Sequence, residues 1–545
     1  MSEATIIEGV LKVACQRLLG LLLCAPALVS GALYGQASAV ADQPAPGARV
    51  VLVLPFENKS GQATLNWISD SFPDTLNQRL TSAGFLTITR DDRLFALDHL
   101  GLPTDFRPTR ATTIRIAQTL DAGFVIVGSF NVDGARVLVQ AQVLDVNRLW
   151  LTQPLEDSSR LDSLFDVENA IAWKICHQIS PTFSVAEQTF LSASNGIKLT
   201  AFENYIRGIG APTPQERVKY LAAAVQESPG YVAAEIALGK EHYADREFDQ
   251  AAAVMAKIPR SDRLALEANF FIGLARFNSA KYAESEAAFA FVASRLPLPE
   301  VVNDQAVAQS RQGKDGTVLF QRAVSTDPND PDYHYNLAVS HFRHGDFPGA
   351  QAEVEATLRL RPNDTEAAEL RTMVAPGRPV AAKSGASIDP TTRLRRTYSE
   401  AGFRQAAFEL DQVRAQRLAT LPPAQQASEY TQLGRDYLAQ GLLPEAEQEF
   451  NAAVAADPSS AQGHAGLAQI REQSGDEGEA RKEAQRSLTL ALNVNAFLVL
   501  ARLDLQKNDL AASALDVQNA LQLEPQNPAA LGMRQALAAR GQTIP

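Results

Sequence analysis

The sequence contains few of the residues from which metal and redox sites are usually built. Its 545 residues include three cysteines and seven histidines. The cysteines, Cys15, Cys24 and Cys176, show neither metal-ligand spacing nor a disulfide framework. His341 and His344 are three residues apart and could meet a metal ion, but no cysteine nearby completes a site. We therefore predict neither a metal nor a cofactor.

Catalytic motifs are missing as well. The loop at residues 58–61, Asn-Lys-Ser-Gly, lies between a predicted strand and a predicted helix, where a glycine-containing loop can hold phosphate. The chain has neither the GxGxxG nor the GxxxxGK[ST] pattern, so a plain connection is the simpler interpretation. None of the histidines lies in a recognisable Ser/His/Asp arrangement. We predict that the protein is not an enzyme.

An excess of positive charge is also missing. The chain has 50 lysines and arginines against 62 aspartates and glutamates, a net charge of −12. A general nucleic-acid binder needs a basic surface, so we predict no nucleic-acid partner. A chain of this length exceeds what one hydrophobic core supports, so it should contain two or more domains.

The longest apolar run lies near the amino terminus. Residues 18–33 are apolar apart from a few small residues, follow Lys12 and Arg17, and precede a stretch of small residues. This pattern predicts a secretory signal within residues 1–41. The run is short for a membrane span, but an uncleaved segment would instead anchor the chain in a membrane.

The next segment, residues 49–183, predicts a small α/β domain. Buried strands, amphipathic helices and one Asp-Gly hairpin alternate along it, which favours a mixed sheet with helices. The predicted elements are strand 49–56, helix 65–80, strand 85–89, helices 91–100 and 109–120, strand 124–130, strand 137–144 and helix 161–179.

This domain resembles the amino-terminal domain of the TolB family. The resemblance is carried by a Leu-Pro-Phe strand end at residues 54–56, the loop at 58–61, and Val-Gly-Ser-Phe at 127–130 before Asp133-Gly134. It implies a domain that binds protein partners in the bacterial periplasm or cell envelope. The β-propeller of that family has no counterpart here, so only the domain type carries over.

Helical repeats dominate the remainder of the chain. Residues 332–364 have the periodicity of two helices joined at Gly345-Asp346, and Pro328 and Pro362 are 34 residues apart. This unit resembles the tetratricopeptide repeat (TPR). The residues that match the repeat pattern are Leu337, Ala338, Phe342, Gly345, Ala350 and Pro362. One such unit cannot bury its own apolar face, so the resemblance implies a solenoid of stacked repeats.

We predict two arrays of these repeats. The first covers residues 199–374, and a linker rich in Pro, Gly, Ala and Ser covers residues 375–392. Residues 393–545 follow as a helical region that contains the second array. It should begin with a charged helix or helix pair at 393–421 and end with a cap helix at 529–539.

The resemblance also implies a concave groove that holds a peptide or a partner helix. Positions two, five, nine and twelve of each first helix face this groove, although each such residue could serve in helix packing instead. A sub-class of the family grips a terminal carboxylate with Lys and Asn, but Glu369 replaces the lysine that would follow Asn336, so we reject that clamp. The predicted groove residues are Tyr335, Asn336, Val339, Phe342, Thr431, Arg435, Leu438, Gln469, Leu498, Arg502 and Leu505.

Two functions remain open from the sequence. The first is a non-catalytic extracytoplasmic scaffold that binds proteins or peptides through TPR grooves and docks at the envelope through the α/β domain. The second is an accessory or sensor subunit in which the α/β domain binds a small molecule and the arrays relay its state. A deep polar pocket would favour the sensor, and an exposed sheet edge or apolar patch would favour docking.

Overall fold

The computed structural model describes residues 50–103, 109–192, 197–375, 390–396 and 400–544. The predicted signal or anchor at residues 1–41 and most of the predicted linker lie outside these ranges. The chain divides into two compact units: residues 208–406 form one, and residues 50–207 together with 407–544 form the other. Among the described residues, no helix has the length and apolar character that crossing a membrane requires.

A mixed sheet lies at the centre of the α/β domain, as predicted. Strand β1 runs parallel to β3 and β4, and β4 forms an antiparallel hairpin with β5. The hairpin turns at Gly134, whose φ of +57° favours glycine. The strand order is β3-β1-β4-β5-β6, with β2 beside β4 and β7 beside β5. The strands are β1 (Val50–Val53), β2 (Glu57–Asn58), β3 (Leu86–Thr87), β4 (Phe124–Asp133), β5 (Arg136–Asp145), β6 (Trp150–Leu151) and β7 (Leu155–Arg160).

In the part of the α/β domain that the structure describes, five α-helices accompany the sheet. They are α1 (Trp67–Ser82), α2 (Arg90–His99), α3 (Arg110–Thr119), α4 (Leu164–Ile179) and α5 (Glu187–Ser192). Helix α1 packs against α4, where the buried Glu168 carboxylate accepts hydrogen bonds from Ser71 and Thr75 at 2.5 and 2.6 Å. Burial raises the pKa of Glu168 to about 7, and the two hydroxyl donors oppose that rise. This carboxylate therefore has a structural role in joining the two helices.

The first helical region, defined here as α7–α16, lies in the unit of residues 208–406. It follows α6 (Leu199–Gly210), in which the boundary between the units falls. Each helix packs against the next, and the alternate helices α12, α14 and α16 also lie side by side. The helices are α7 (Pro214–Glu227), α8 (Val232–Ala244), α9 (Phe248–Met255), α10 (Ala265–Asn278), α11 (Tyr282–Ala293), α12 (Pro299–Arg311), α13 (Thr317–Thr326), α14 (Pro331–Arg343), α15 (Phe347–Leu360) and α16 (Thr365–Val374).

Close contacts between paired helices depend on small residues at one repeat position. Gly273 on α10 faces the ring of Phe289 on α11, and a Cβ atom there would lie 2.7 Å from a ring carbon. Gly434 has the same relation to Phe450, at 2.8 Å. The absence of a side chain at these positions lets the aromatic ring fill the space between the two helices.

The second helical region, defined here as α18–α24, belongs to the other unit. Its last helix coincides with the predicted cap within one residue at each end. Helix α17 (Glu400–Leu418) precedes this region. The helices of the region are α18 (Pro423–Ala439), α19 (Leu443–Ala456), α20 (Ala461–Gln473), α21 (Glu477–Leu490), α22 (Val494–Gln506), α23 (Leu510–Leu523) and α24 (Pro528–Ala538).

The α/β domain contacts the second helical region within their shared unit. Helix α5 packs against α19 and α20. The backbone N–H of Ala186 donates to the buried Glu447 carboxylate at 3.0 Å, and the Gln448 side chain donates to the carbonyl of Ser82 at 2.8 Å. Part of the surface of α19 is therefore covered by the protein's own amino-terminal domain.

The prediction that a helix begins at Arg393 is wrong. Residues 390–396 form neither helix nor strand, and helix α17 begins at Glu400. The side chains and backbone of this segment are bound by helices of the first helical region, as described below. These contacts override the helix-forming tendency of its Arg and Leu residues.

Candidate peptide-binding groove

The candidate site lies along helices α12, α14 and α16, the first helices of three consecutive repeats. Asp330 caps the amino terminus of α14 by accepting a hydrogen bond from the N–H of Asp332. Asp364 caps α16 in the same way through the N–H of Ala367. Helix amino termini stabilise carboxylates, so the sequence can concentrate acidic side chains here. The groove surface is therefore acidic.

An extended segment of the same chain lies in this groove. We name residues Pro390–Arg396 the resident segment; their sequence is Pro-Thr-Thr-Arg-Leu-Arg-Arg. Pro390 and Thr392 are buried, whereas Thr391 is exposed. The carbonyl of Pro390 accepts a hydrogen bond from Arg343 on α14 at 2.9 Å. The groove thus holds a peptide-like ligand supplied by the protein itself.

Two buried asparagines bind the backbone of the resident segment. Asn336 accepts from the N–H of Arg393 at 2.6 Å and donates to the carbonyl of the same residue at 2.7 Å. Asn303, which is 33 residues earlier on the first helix of the preceding repeat, donates to that carbonyl at 3.3 Å and accepts from Asn336 at 2.8 Å. One amide side chain thus satisfies both polar groups of one peptide residue, as a neighbouring strand would.

The next backbone contact is made two residues further along. The N–H of Arg395 donates to the buried carboxylate of Asp304 at 2.8 Å, and the side chain of Asn303 also donates to that carboxylate at 3.2 Å. Burial raises the pKa of Asp304 well above its ordinary value, although these donors lower it. Because alternate residues of the segment are held by their backbones, the binding mode requires an extended chain.

The side chain of Arg393 uses all five of its N–H donors. Its Nη1 donates to Asp332 at 2.8 Å, its Nη1 and Nη2 donate to the two oxygens of Asp364 at 2.7 Å each, and its Nε and Nη2 donate to Glu366 at 2.9 and 2.7 Å. The guanidinium carbon also lies 3.7 Å from the centre of the Tyr335 ring. This planar, forked arrangement matches arginine and not lysine.

These contacts shift the charges of the groups involved. Hydrogen bonding from Arg393 lowers the pKa of Asp364 to about 2, against the opposing effect of burial. Burial lowers the pKa of Arg393, but its hydrogen bonds to the three carboxylates outweigh this effect, so the net pKa is raised. Both partners are therefore charged across the physiological pH range.

The two following residues complete the contact. Leu394 packs against the apolar cluster of Ala306, Val307, Phe320 and Leu337. Arg395 forms an ion pair with Asp330, and its guanidinium carbon lies 5.8 Å from the centre of the Tyr333 ring. The resident segment therefore presents an Arg–Leu–Arg core to alternating acidic and apolar surfaces.

The structure separates the groove residues predicted for the first array into two groups. Tyr335 and Asn336 contact the resident segment. Val339 is fully buried in the cluster formed with α15 and α16, and Phe342 packs at the edge of that cluster against Phe347. Val339 is therefore a packing residue, which corrects its predicted groove position, whereas Phe342 is half-buried and its groove role stays a prediction.

The groove residues predicted for the second array have mostly structural partners. Thr431 is buried, and Leu438 packs against the cluster around Phe450. Leu498 is a buried core residue between α22 and α24, which corrects its predicted groove position. Two of the remaining predicted residues have polar partners: Arg435 donates a hydrogen bond to Gln462, and Arg502 pairs with Glu472. Leu505 packs at the edge of the cluster around Val517, and Gln469 is half-buried.

Sequence reasoning missed several residues of the site. It identified neither Asn303 nor the acidic residues Asp332, Asp364 and Glu366, and it did not identify the resident segment. A partial signal was present, because Asn303 and Asn336 are 33 residues apart, close to the repeat length, on the first helices of neighbouring repeats. The rejection of the carboxylate clamp agrees with this geometry, since the groove is acidic and holds an arginine.

Four histidines of the helical regions have carboxylate partners. His334 contacts Glu353 at 2.5 Å and the carbonyl of Pro328 at 3.0 Å, and His464 has an equivalent contact with Glu483 at 2.7 Å. The other two contact different carboxylates: His341 lies 2.8 Å from Asp346, and His344 lies 3.6 Å from Asp315. In the part of the chain that the structure describes, no group of three or more His, Cys, Asp or Glu side chains could hold a metal ion.

The loop at residues 58–61 is closed on itself. The Asn58 carboxamide oxygen accepts from the N–H and the hydroxyl of Ser60 at 2.9 and 2.6 Å, and its amide group donates to Asn66 at 2.8 Å. This bonding pattern is that of a side-chain-stabilised turn.

Comparison with solved structures gives partial similarities. MamA from Desulfovibrio magneticus RS-1 is 18% identical, with 31% of this chain and 99% of that chain covered and a TM-score of 0.29. YrrB, described as a TPR protein with an unusual peptide-binding site, is 10% identical, with 37% and 98% covered and a TM-score of 0.29. The carboxy-terminal domain of LpoB from Salmonella enterica is 19% identical, with 21% and 84% covered and a TM-score of 0.18. No curated protein matches the chain.

Family comparison identifies the helical repeats. Two family models, both described as tetratricopeptide repeat, match residues 308–374 and residues 431–491. The first match includes α14 and most of the candidate groove, and the second begins within α18 and ends after α21. Residues 308–374 and 431–491 are therefore tetratricopeptide repeats, a structural class that provides protein-interaction surfaces.

Proposed function

We propose that the protein is a non-catalytic interaction scaffold whose first helical region binds an extended peptide segment of a partner protein. The observation that carries this proposal is the way Asn303 and Asn336 hold the backbone of the resident segment. Contacts to a peptide backbone are independent of sequence and are how proteins commonly capture extended chains.

The two buried asparagines have few other roles that would explain them. A buried amide must be hydrogen-bonded, and an apolar residue would fill the same space in the repeat at lower cost. Asn336 makes its described hydrogen bonds to Asn303 and to the resident segment. Its polar groups are therefore matched to a ligand that lies in the groove.

Capture of partner proteins by the full chain tests the proposal. The baits are the wild type, Asn303→Ala with Asn336→Ala, and Gln432→Ala. Gln432 is an exposed residue on α18 at the repeat position that corresponds to Asn336. We expect the double variant to lose a defined set of partners that the control retains. Melting curves of all three chains must agree to within a few degrees, so that lost folding is not mistaken for lost binding.

Equal capture by all three folded baits would contradict the proposal. A chain that captures nothing, but whose melting temperature is raised by a small molecule, would favour the sensor function instead.

We also propose an extracytoplasmic location, in a bacterial periplasm or envelope, with the α/β domain as the docking element. The apolar run at residues 18–33 and the resemblance of residues 49–183 to the TolB amino-terminal domain support this. Leu149 and Trp150, at edge strand β6, are each more than half exposed, which suits a docking surface. Cell fractionation and the amino-terminal sequence of the mature chain test it: a cytoplasmic chain that retains residue 1 would contradict it.

A further inference from the structure

The resident segment contacts the groove with more specificity than backbone capture needs. The side chain of Arg393 donates five hydrogen bonds to three carboxylates, and Arg395 pairs with a fourth carboxylate, that of Asp330. Between them, Leu394 enters an apolar cluster. The groove is therefore complementary to the pattern Arg–apolar–Arg in an extended chain.

The charge of the groove favours a basic ligand. Asp330, Asp332, Asp364 and Glu366 contribute four negative charges, and Arg361 at 2.8 Å from Asp332 offsets one of them. The two bound arginines of the segment neutralise two more. Without the segment, these four carboxylates would leave an excess of negative charge on the surface, which would attract basic peptides and repel acidic ones.

The second helical region lacks this recognition chemistry. At the repeat position of Asn336, its first helices α18, α20 and α22 carry Gln432, Gly466 and Val499. None of these residues binds a peptide backbone as the buried asparagine does: Gln432 is exposed and donates to Asp436 on its own helix, and the other two have no polar side chain. The Arg–apolar–Arg groove is therefore a property of the first region.

The resident segment is covalently tethered close to the site. Fifteen residues, 375–389, connect the end of α16 to Pro390. A short tether gives its segment an effective concentration in the millimolar range, so a ligand from another molecule must compete with it. The measured Kd for such a ligand equals its intrinsic Kd divided by the fraction of molecules whose groove is open, so a mostly closed groove binds it more weakly.

We propose that the groove recognises a partner protein through an exposed, extended Arg–apolar–Arg segment, and that Pro390–Arg396 is the intramolecular competitor that this partner displaces. This inference rests on the proposed function and names the chemistry of its ligand. The chain would then be closed when alone and open only to a partner whose segment outcompetes its own.

A binding experiment with a defined peptide tests this. The probe is a fluorescent peptide of sequence Pro-Thr-Thr-Arg-Leu-Arg-Arg, titrated with the full chain and followed by anisotropy. We expect Arg393→Ala with Arg395→Ala in the protein to open the groove and to lower the Kd for the probe at least tenfold. Arg396→Ala is the matched control, since Arg396 is exposed and should leave the Kd at its wild-type value.

Specificity is tested in the same opened chain. A probe in which the first two arginines are replaced by lysine should bind at least tenfold more weakly, because lysine cannot form the forked contacts. Adding Asn336→Ala to the opened chain should abolish binding, whereas adding Gln432→Ala should not. Equal binding of the arginine and lysine probes, or equal Kd values for the wild-type and opened chains, would overturn the inference.

Two further outcomes separate this inference from the proposed function. If the opened chain binds no probe while capture of partners still depends on Asn303 and Asn336, the Arg–apolar–Arg inference fails and the scaffold function stands. If the wild-type chain sediments as a dimer that Arg393→Ala dissociates, the ligand is a second copy of this chain and the competitor role is overturned.

Discussion

Replacing Arg393 with alanine should release the resident segment from its groove. Of the three carboxylates that bind this arginine, the Glu366 side chain is 58% exposed and contributes little, whereas the Asp364 side chain is 4% exposed. Hydrogen bonds to charged groups contribute about 1.5–3 kcal/mol each when well buried. The Arg393 side chain is 19% exposed, and Arg361 remains near Asp364 in the variant, so we discount the total to about 2 kcal/mol. This corresponds to a roughly thirtyfold shift toward the open state.

Cleavage of the bond between residues 393 and 394 measures that opening. Thermolysin cuts before leucine, and native-state cleavage follows the population of the open form when opening is fast. We expect the fragment that begins at Leu394 to form about thirtyfold faster in Arg393→Ala than in the wild type. Arg396→Ala, a change at an exposed position of the same segment, should alter the rate less than twofold. Similar rates for both variants would refute the assignment of Arg393 as the anchor of the segment.

Three further predictions concern pH and packing. Because the pKa of Asp364 is lowered to about 2, its stabilisation of the docked segment should persist above about pH 4 and disappear as the pH falls toward 2. Hydrogen-exchange protection of the segment measures this loss, and Asp364→Asn should remove the pH dependence. The pKa of His334 is raised by its glutamate partner on α15, so this contact stabilises the folded chain below pH 6.5. The stabilisation is lost as the pH rises through the folded-state pKa. His334→Gln should therefore flatten the fall in unfolding free energy between pH 6 and 8. Gly273→Leu should destabilise the chain by about 2 kcal/mol in denaturant unfolding because Phe289 must move. At Gly532 an added Cβ atom would have no neighbouring atom within 4 Å, so Gly532→Ala should stabilise the chain by about 0.5–1 kcal/mol.

The sequence predicted most regular elements because their ends carry explicit signals. Helix α14 begins after Asp330 with a proline at its first position and is followed by Gly345 with a φ of +76°. In the α/β domain, buried strands and an Asp-Gly turn define β4 and β5. Strand β7 was missed because its sequence, Leu-Glu-Asp-Ser-Ser-Arg, has no apolar alternation, and its pairing with β5 is a tertiary effect.

The groove was predictable only in part, and the reason is geometric. Helical phase correctly brings Tyr335 and Asn336 to the resident segment, but Val339, about one turn later, lies under α16 and joins the core with Ala367 and Leu370. How far a neighbouring helix covers a position depends on the helix-to-helix angle, which periodicity does not encode.

The ligand of the groove could not be predicted from local sequence. Residues 393–396, Arg-Leu-Arg-Arg, are good helix formers, and their charge pattern is typical of a solvated helix. Their extended conformation results from contacts with residues 27 to 91 positions earlier, between Asp304 and Glu366. Complementary charge in the preceding repeats was the available signal, and it becomes meaningful only when the helices are stacked.

Hydrogen exchange at the amides of Arg393 and Arg395 in the unmodified full chain tests the central claim most directly. Both N–H groups are bonded to groove side chains, Asn336 and Asp304, so we expect both amides to exchange at least tenfold more slowly than in the free peptide of residues 390–396. Thr391, which is exposed, should exchange close to the free-peptide rate. Exchange of both arginine amides at the free-peptide rate would contradict the account, because the groove would then hold no segment of its own chain.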